Sequence, residues 1–265
     1  SATQFEGDDV GMLVFEELAR IAPREVIIPE SWYERGVTMP DGIHFSSVQD
    51  WTFEFAGADQ LLRDHFHVST LDGYGLKNQT FAISAAGGVL QYLRVTQKNS
   101  LDQLVNIRSY STTSFMVLDQ FTRRNLELIE TIRTRKARGS LLGILDRTVT
   151  AMGARLLRTW LNQPLLELNR LNARLDAVEA LASSDILREE IANELQRVAD
   201  IERLTNRLVI GKAGPRDLLG LKDSLSVVPR LYELTESIDN LSAISERLNP
   251  CEPVFDLITS AITDD

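Results

Sequence analysis

The pattern of apolar and polar positions divides the chain into two parts. Up to about residue 112, short β-branched or alternating runs, typical of strands, are interspersed with stretches whose apolar residues recur every three or four positions. The second spacing is typical of amphipathic helices, and the mixture predicts an α/β domain. From Ser114 onward, after a last short apolar strand or extended entry at Phe115 to Leu118, only the helical spacing continues. We therefore predict an α+β multidomain protein, with an N-terminal α/β domain over 1–113 and an all-α helical bundle over 114–265.

Three amphipathic stretches in the first part predict helices. They begin near Asp9, Ala58 and Asn78, and the third carries Ala82, Ala85, Ala86, Val89 and Leu93 on its predicted inner face. The small residues Gly87 and Gly88 would let this helix approach a sheet closely.

Two short runs in the first part predict strands. The β-branched run from Glu25 to Ile28 suits a buried strand. The alternation of Trp51, Phe53 and Phe55 with polar residues suits a half-buried strand. The chain begins on what resembles the end of a strand, so we expect the first strand of this domain to lie upstream of Ser1.

The second part predicts long helices. Asp119 can cap a helix that Phe121, Leu128 and Ile132 would extend by helical spacing. Pro229 predicts a break in a helix, and Pro250 with Pro253 predicts a connector near the end of the chain. Three further apolar stripes have helical spacing: Leu171, Leu175, Val178 and Ala182; Leu187, Ile191, Leu195 and Val198; and Leu218, Leu221, Leu225 and Val228.

Charge changes this picture in one respect. The formal net charge is −10 and the isoelectric point is about 4.9, which argues against strong binding of DNA by this chain alone. A local basic patch remains open, and a solvated helix end is the preferred interpretation of that cluster. The cluster consists of Arg123, Arg124, Arg133, Arg135, Lys136 and Arg138.

Composition indicates a soluble protein. The hydrophobic fraction of 43% and the charged fraction of 25% are ordinary for globular domains. No apolar run has the length of a membrane span, and no secretory signal is visible. The single cysteine, Cys251, is compatible with the cytoplasm, which is the predicted location.

Three sequence blocks carry a family resemblance. The first runs from Asp119 to Leu128 and includes Thr122, Arg123 and Asn125. The second reads GSLLGILDRTVTAMGARLLRTWLNQPL over 139–165, and the third joins 200–204 to 213–218. In this order the blocks resemble the MutS mismatch-repair ATPases. The matching positions outside the first block are Gly139, Gly153, Arg155, Trp160, Pro164 and Pro215.

The resemblance implies a particular part of that protein. The first part is similar to the connector domain, which has an RNase H-like fold and docks the partner MutL. The second part is similar to the beginning of the core and lever domain, whose helices would transmit movement between a distant ATPase and a DNA clamp. By resemblance, the MutL-binding residues would be Gln60, Arg63, Asp64 and His67.

The resemblance also implies what this chain does not do. The sequence contains no Gly-x-x-x-x-Gly-Lys-Ser/Thr loop, so we expect no catalysis and no cofactor in this chain. ATP and Mg²⁺, binding of mismatched DNA and the MutS homodimer would belong to the intact protein. Its mismatch-reading domain would precede Ser1, and its clamp and ATPase would follow Asp265. Trp160 would be a buried joint, whose truncation to alanine would cost about 3–5 kcal/mol.

Other functions remain open. An RNase H-like fold with a helical appendage could be a metal-dependent nuclease, with Asp8, Asp9, Asp50 and Asp72 as candidate ligands. Helix caps and turns also favour aspartate at such positions, which makes the structural interpretation the stronger one. His65 and His67 could share a metal but lack an evident third ligand, and His44 is expected to be a packed or edge residue. A protein-interaction module is the third class.

Overall fold

The computed structural model describes residues 1–35, 43–96, 101 and 104–262. The chain forms two compact units. Unit 1 comprises Ser1–Thr113 with Val117–Thr122, and unit 2 comprises Ser114–Met116 with Arg123–Asp265. The first is mixed α and β and the second is helical, as the apolar pattern predicts.

Unit 1 contains four helices and two strands in its described part before residue 97. Strands β1 and β2 pair in parallel, with Glu25 opposite His44 and Pro29 opposite Val48. Short 3₁₀ turns cover Asp50–Phe53 and Asp72–Tyr74. The elements are α1 Val10–Ile21, β1 Glu25–Pro29, α2 Glu30–Glu34, β2 His44–Val48, α3 Phe55–Phe66 and α4 Thr80–Thr96.

Helices α3 and α4 pack side by side and form the core of unit 1. Leu62 is 2% exposed and Leu76 1% exposed, and Ala82 lies against them. A Cβ on Gly87 would lie 2.6 Å from the Cα of Ala58, so only glycine allows this approach of the two backbones. The close contact predicted for the α4 glycines therefore exists, but its partner is a helix and not a sheet.

Two predictions for unit 1 are wrong in detail. The alternating segment at Trp51 and Phe53 is a 3₁₀ turn, and Phe55 begins α3. An alternating run this short also fits a turn, and here the Asp50 carboxylate accepts a hydrogen bond from the Ser31 amide at 3.0 Å and holds the turn against α2. On α4, Val89 is exposed while Ile83 is buried, because the buried face follows the small residues that contact α3.

Unit 2 follows the predicted helical stripes closely. Helix α11 ends at Ser226 and α12 begins at Val228, so the break predicted at Pro229 is confirmed. Its helices in the described part are α6 Leu141–Leu145, α7 Ala151–Asn162, α8 Leu168–Ala182, α9 Asp185–Gln196, α10 Ile201–Val209, α11 Pro215–Ser226, α12 Val228–Glu236, α13 Ser242–Ser245 and α14 Glu252–Ala261, after the short α5 Gln120–Asn125 at the chain boundary between the units.

Two helix predictions for the second half are wrong. Helix α5 ends at Asn125, and the segment up to Ser140 is formed by turns. Glu127 has a positive φ of 46°, and its carboxylate accepts a hydrogen bond from the Ile132 amide at 2.6 Å, which stabilises a turn in place of a helix. Pro253 lies in the first turn of α14 and not in a connector, because that position needs no amide donor.

The buried apolar residues of unit 2 include one packed cluster and also Leu142, Leu165, Val227, Leu231, Leu234 and Leu241. Leu221 and Leu225 of α11 pack with Ile258 of α14, and partly buried residues of α10 complete the cluster. None of the residues described in α7, α8, α9 and α10 is fully buried. Apolar side chains such as Leu175 and Val178 of α8 are 56% and 59% exposed.

Candidate docking face and helical joints

The residues predicted to bind a partner lie on one exposed face of α3. The Gln60 side-chain amide nitrogen donates to Asp64 at 2.7 Å, and Arg63 donates to the Gln60 side-chain oxygen Oε1 at 2.9 Å. Gln60, Asp64 and His67 are exposed. The structure therefore brings three of these residues into one hydrogen-bonded group, and His67 follows directly after the helix in the left-handed conformation.

Arg63 differs from its neighbours because it also holds the local fold. Its guanidinium forms an ion pair with Asp59 at 2.9 Å and donates to the Ser69 carbonyl at 3.4 Å. The Nε atom is buried and has no hydrogen-bond partner within the described chain. Arg63 thus connects α3 to the segment that follows it, and a substitution there would disturb structure as well as any surface.

The first sequence block acts by capping. The Asp119 carboxylate accepts hydrogen bonds from the Thr122 amide at 2.8 Å and from the Thr122 hydroxyl at 2.7 Å. These bonds lower the pKa of Asp119, with the backbone bond as the largest cause. Arg123 donates to the Asn162 carbonyl at 2.9 Å, at the end of α7. Asn125 is exposed at the last position of α5.

The second block begins with a buried hydroxyl. Ser140 is fully buried, and its hydroxyl lies 2.7 Å from the Ala137 carbonyl and 2.9 Å from the Ile129 carbonyl. The same oxygen accepts a hydrogen bond from the Gly143 amide at 3.2 Å and caps α6. Gly139 before it has a φ of 97°, which favours glycine at this position.

The same capping arrangement recurs ten residues later at the start of α7. The Thr150 hydroxyl accepts a hydrogen bond from the Gly153 amide at 3.0 Å. Both motif residues therefore serve to begin a helix.

Arg155 joins two helices that are distant in sequence. Its guanidinium donates to both carboxylate oxygens of Asp200 at 2.8 Å and to Glu202 at 2.5 Å. Asp200 also caps α10 by accepting from the Arg203 amide at 3.2 Å. The Arg155 hydrogen bond is the main cause that lowers the pKa of Asp200 to about 2, and the two carboxylates raise the pKa of Arg155.

Sequence reasoning missed this pair, although it singled out both blocks. Arg155 and Asp200 are 45 positions apart, and neither helical spacing nor charge count connects them. The sequence offered one signal for this pairing: an arginine and an aspartate at a helix start both lie in the sequence blocks that carry the family resemblance.

Trp160 is not the buried joint that the sequence predicts. Its side chain is 37% exposed, and the Arg174 guanidinium lies over the ring, 3.9 Å from the centroid. The expected loss on truncation is therefore smaller than for a core tryptophan, because part of the ring already contacts solvent.

Of the two proline positions of the family pattern, Pro164 lies between α7 and α8, and Pro215 begins α11. The Pro164 carbonyl accepts a hydrogen bond from the Met116 amide at 2.8 Å, beside the antiparallel bridge between Phe115 and Leu165. Pro215 begins α11, where the Asp217 carboxylate accepts from the Gly214 amide at 2.8 Å. Both positions are structural.

The residues considered for metal chemistry are dispersed. Asp50 accepts the hydrogen bond from the Ser31 amide described above, and a ring nitrogen of His65 is 2.8 Å from the Leu104 carbonyl oxygen. His44 is exposed on β2. In the described ranges, no three His, Cys, Asp or Glu side chains are grouped closely enough to hold a metal ion. None of the helices described there has the length and hydropathy needed to cross a membrane.

These features define a class of protein: a mixed α/β unit with a polar helical face, followed by helices that meet at capped and ion-paired joints. Residues 6–108 match the family MutS domain II, and residues 121–265 match MutS domain III. The chain belongs to the MutS family.

Relatives named DNA mismatch repair protein MutS match all or nearly all of the chain. The DNA mismatch repair protein MutS of Symbiobacterium thermophilum is 41% identical over 271 residues, which is 100% of this chain and 31% of that protein. The protein of that name from Lachnoclostridium phytofermentans is 38% identical over 259 residues, covering 95% of this chain and 28% of the relative. That from Methanosarcina barkeri is 38% identical over 272 residues, 99% of this chain and 30% of the relative. The chain thus spans less than a third of the curated relatives it matches.

Proposed function

We propose that this chain is the structural and allosteric part of a MutS-type mismatch-repair ATPase, with no catalytic activity of its own. In this proposal, unit 2 connects the mismatch-binding, clamp and ATPase parts. Unit 1 has RNase H-like topology and offers a docking surface for MutL. The observation that carries the proposal is the joint between Arg155 and Asp200, which connects α7 to α10 through a bidentate ion pair.

Such joints suit the transmission of movement. A guanidinium that bonds both oxygens of one carboxylate fixes the angle between two helices more strictly than an apolar contact does. Packed helices then move as rigid bodies about their interfaces. The hydrogen bond from Arg123 to the Asn162 carbonyl provides a second fixed point at the other end of α7.

Exposed apolar stripes support the same role. Leu168, Leu175 and Val178 of α8 are all more than half exposed, as is Ile186 of α9. Contiguous apolar surface on a folded protein commonly marks a contact with another segment or partner. In a longer protein of this family, these stripes would pack against other domains.

The remaining properties of the intact protein are part of this proposal. ATP and Mg²⁺ would bind outside this chain, which itself would hold no cofactor. Mismatched DNA would bind to the MutS homodimer as a whole, in the cytoplasm. The names of the relatives, which describe DNA mismatch repair proteins, support this assignment.

MutL would dock on the α3 face. The group of Gln60, Arg63 and Asp64 is ordered by its own hydrogen bonds, so a partner would meet a preformed polar surface. Because Arg63 also holds the fold, Gln60 and Asp64 are the positions at which docking can be tested separately from stability.

The test measures MutL binding to this chain by biolayer interferometry. Gln60→Ala combined with Asp64→Lys should weaken capture by about tenfold or more, the effect of losing one central polar contact. The control is Glu167→Lys with Arg170→Glu, which alters an exposed ion pair in unit 2. Unchanged binding by the α3 variant, with the chain still folded, would reject this face as the docking site.

A further inference from the structure

The basic residues near residue 135 lie on an anchored turn. We define the basic turn as residues 131–140, which carry Arg133, Arg135, Lys136 and Arg138. All four side chains are exposed. The Thr131 amide donates to the Lys136 carbonyl at 3.0 Å, and the Arg135 amide donates to the Thr131 carbonyl at 2.9 Å.

The base of the turn is fixed to the unit. The buried Ser140 hydroxyl is bonded at its end, and the Leu141 amide donates to the Glu127 carbonyl at 3.0 Å. The Leu142 amide donates to the Leu128 carbonyl at 2.9 Å. The turn therefore presents its cations from a rigid base, and the four side chains are the adaptable part.

The structure removes the ordinary explanation for these charges. Cations are favourable in the last turn of a helix, but α5 ends at Asn125, well before Arg133. That explanation covers Arg123 and Arg124 only. The next helix begins at Leu141, so the basic turn precedes a helix start, where positive charge gains nothing from the helix dipole.

Internal pairing does not account for the charges either. Within the described part of the chain, the side chains of Arg133, Arg135, Lys136 and Arg138 make no ion pair or hydrogen bond. Exposed arginines elsewhere often do: Arg188 pairs with Asp185, and Arg197 pairs with Glu194. The Glu127 carboxylate at the base of the turn bonds the Ile132 amide, and Asp146 beyond the turn is bonded to Thr148. Glu130, directly before the turn, forms no ion pair with these cations in the described part of the chain. Four cations that repel one another are thus held together without an ion pair from the fold.

We propose that the basic turn binds the phosphodiester backbone of a nucleic acid. Phosphate binding requires clustered cations and no apolar anchor, and arginine is well suited to it because its fork can bond two oxygens. A protein partner would instead be expected to use a central aromatic or aliphatic anchor. Residues 133–138 contain none, since Thr134 and Ala137 are their only other side chains, and Ile132, 45% exposed, is the single large apolar side chain of the basic turn.

This contact would be weak and independent of sequence. The acidic chain repels a polyanion overall, so the turn would serve as a local contact that assists binding made elsewhere. The inference concerns unit 2 and goes beyond the docking role proposed for α3. Its failure would leave the MutL proposal untouched, and the reverse also holds.

The test measures binding of a short fluorescein-labelled DNA duplex to this chain by fluorescence anisotropy. Four neutralised phosphates predict a slope of log K against log salt of about −3 to −4 between about 50 and 200 mM. Replacing Arg133, Arg135, Lys136 and Arg138 by glutamine should weaken binding by at least about tenfold at the lower salt concentration and flatten the slope.

A second variant controls for net charge. It replaces four dispersed, exposed arginines by glutamine and lowers the net charge equally: Arg158, Arg203, Arg216 and Arg247. Binding should stay close to that of the unmodified chain. If both variants lose binding equally, overall charge explains the result and the proposal is wrong.

Two further binding measurements distinguish a nucleic acid backbone from other anions. Poly-glutamate that binds as tightly as the duplex, and loses binding with the turn variant, would assign the turn to an acidic protein partner instead. Displacement of the duplex by inorganic phosphate at matched ionic strength would indicate a single-anion site.

Should the fourfold variant fold poorly, Arg133→Gln and Arg138→Gln alone should each reduce the salt slope by about one. An unchanged slope in both would overturn the proposal.

Discussion

The two units of this chain are stabilised by different means. In unit 1, α3 and α4 touch through alanine and glycine, and the leucines around them, such as Leu62, are almost completely buried. In unit 2, helices α7 to α10 keep much of their apolar surface exposed, and polar side chains fix where they meet. Arg155 with Asp200 is the clearest of these joints.

This difference corresponds to the role proposed for each unit. A densely packed unit keeps its surface in one shape, as a docking face requires. Helices that meet at a few directional contacts can shift as bodies while the contacts hold or exchange. This difference between the units would be contradicted if unit 1 tolerated truncation of its core, or if unit 2 did not respond to loss of its polar joints.

The largest expected effect is truncation of a core leucine in unit 1. Leu62→Ala should lower the free energy of unfolding by about 3 kcal/mol, because the side chain is 2% exposed and its removal leaves a cavity. Chemical denaturation followed by circular dichroism gives the size of the loss. Hydrogen exchange should assign it to peptides of unit 1.

The matched change in unit 2 is Leu175→Ala. This leucine also lies within a helix but is 56% exposed, so the expected loss is about 0.5 kcal/mol or less. Equal losses at Leu62 and Leu175 would show that the two units do not differ in packing as described.

The second effect tests the contact of the two helices in unit 1. Gly87→Ala should destabilise the unit by about 2 kcal/mol, because the new Cβ would lie 2.6 Å from the Ala58 Cα and force the helices apart. Intrinsic helix preference acts in the opposite direction and favours alanine. The sign of the change in unfolding free energy therefore decides between close packing and local preference.

Gly57 of α3 provides the control for that sign. A Cβ there would meet nothing within 4 Å, so Gly57→Ala should stabilise the chain by about 0.5 kcal/mol. Stabilisation by both substitutions would contradict the close approach of α3 and α4.

Sequence reasoning succeeded for helices whose apolar residues repeat over several turns. The stripes of α8, α9 and α11 predicted those helices, since periodicity is a local property. It failed where a few residues decide the outcome, as at Glu127, whose side chain bonds a nearby amide and stabilises a turn. It also misassigned Trp51, because alternation over so few residues fits a turn as well as a strand.

Burial and long-range pairing could not be predicted from these local patterns. The leucines of α8 form a clear stripe, yet the structure leaves Leu175 mostly exposed, because periodicity defines a face and not what covers it. The candidate docking residues on α3 came from the resemblance, and their role stays a prediction. The pairing of Arg155 with Asp200 depends on how α7 and α10 come together, which no spacing within either helix encodes.

The smallest expected effect concerns that joint and its dependence on pH. The pKa of Asp200 is lowered to about 2 from an ordinary value of 3.8, chiefly by the hydrogen bond from Arg155. A carboxyl whose pKa is lower in the folded state stabilises the fold above its unfolded pKa, and this contribution is lost as the pH falls towards 2. Asp200→Asn should therefore lower the melting temperature at neutral pH, and its difference from the unmodified chain should shrink between about pH 4 and pH 2.

Asp176→Asn on α8 makes the same change of charge at an exposed site and should show little difference at any pH. Carbon NMR of the Asp200 carboxyl gives the midpoint directly, and a midpoint near 3.8 would mean that Arg155 does not hold this carboxylate in solution.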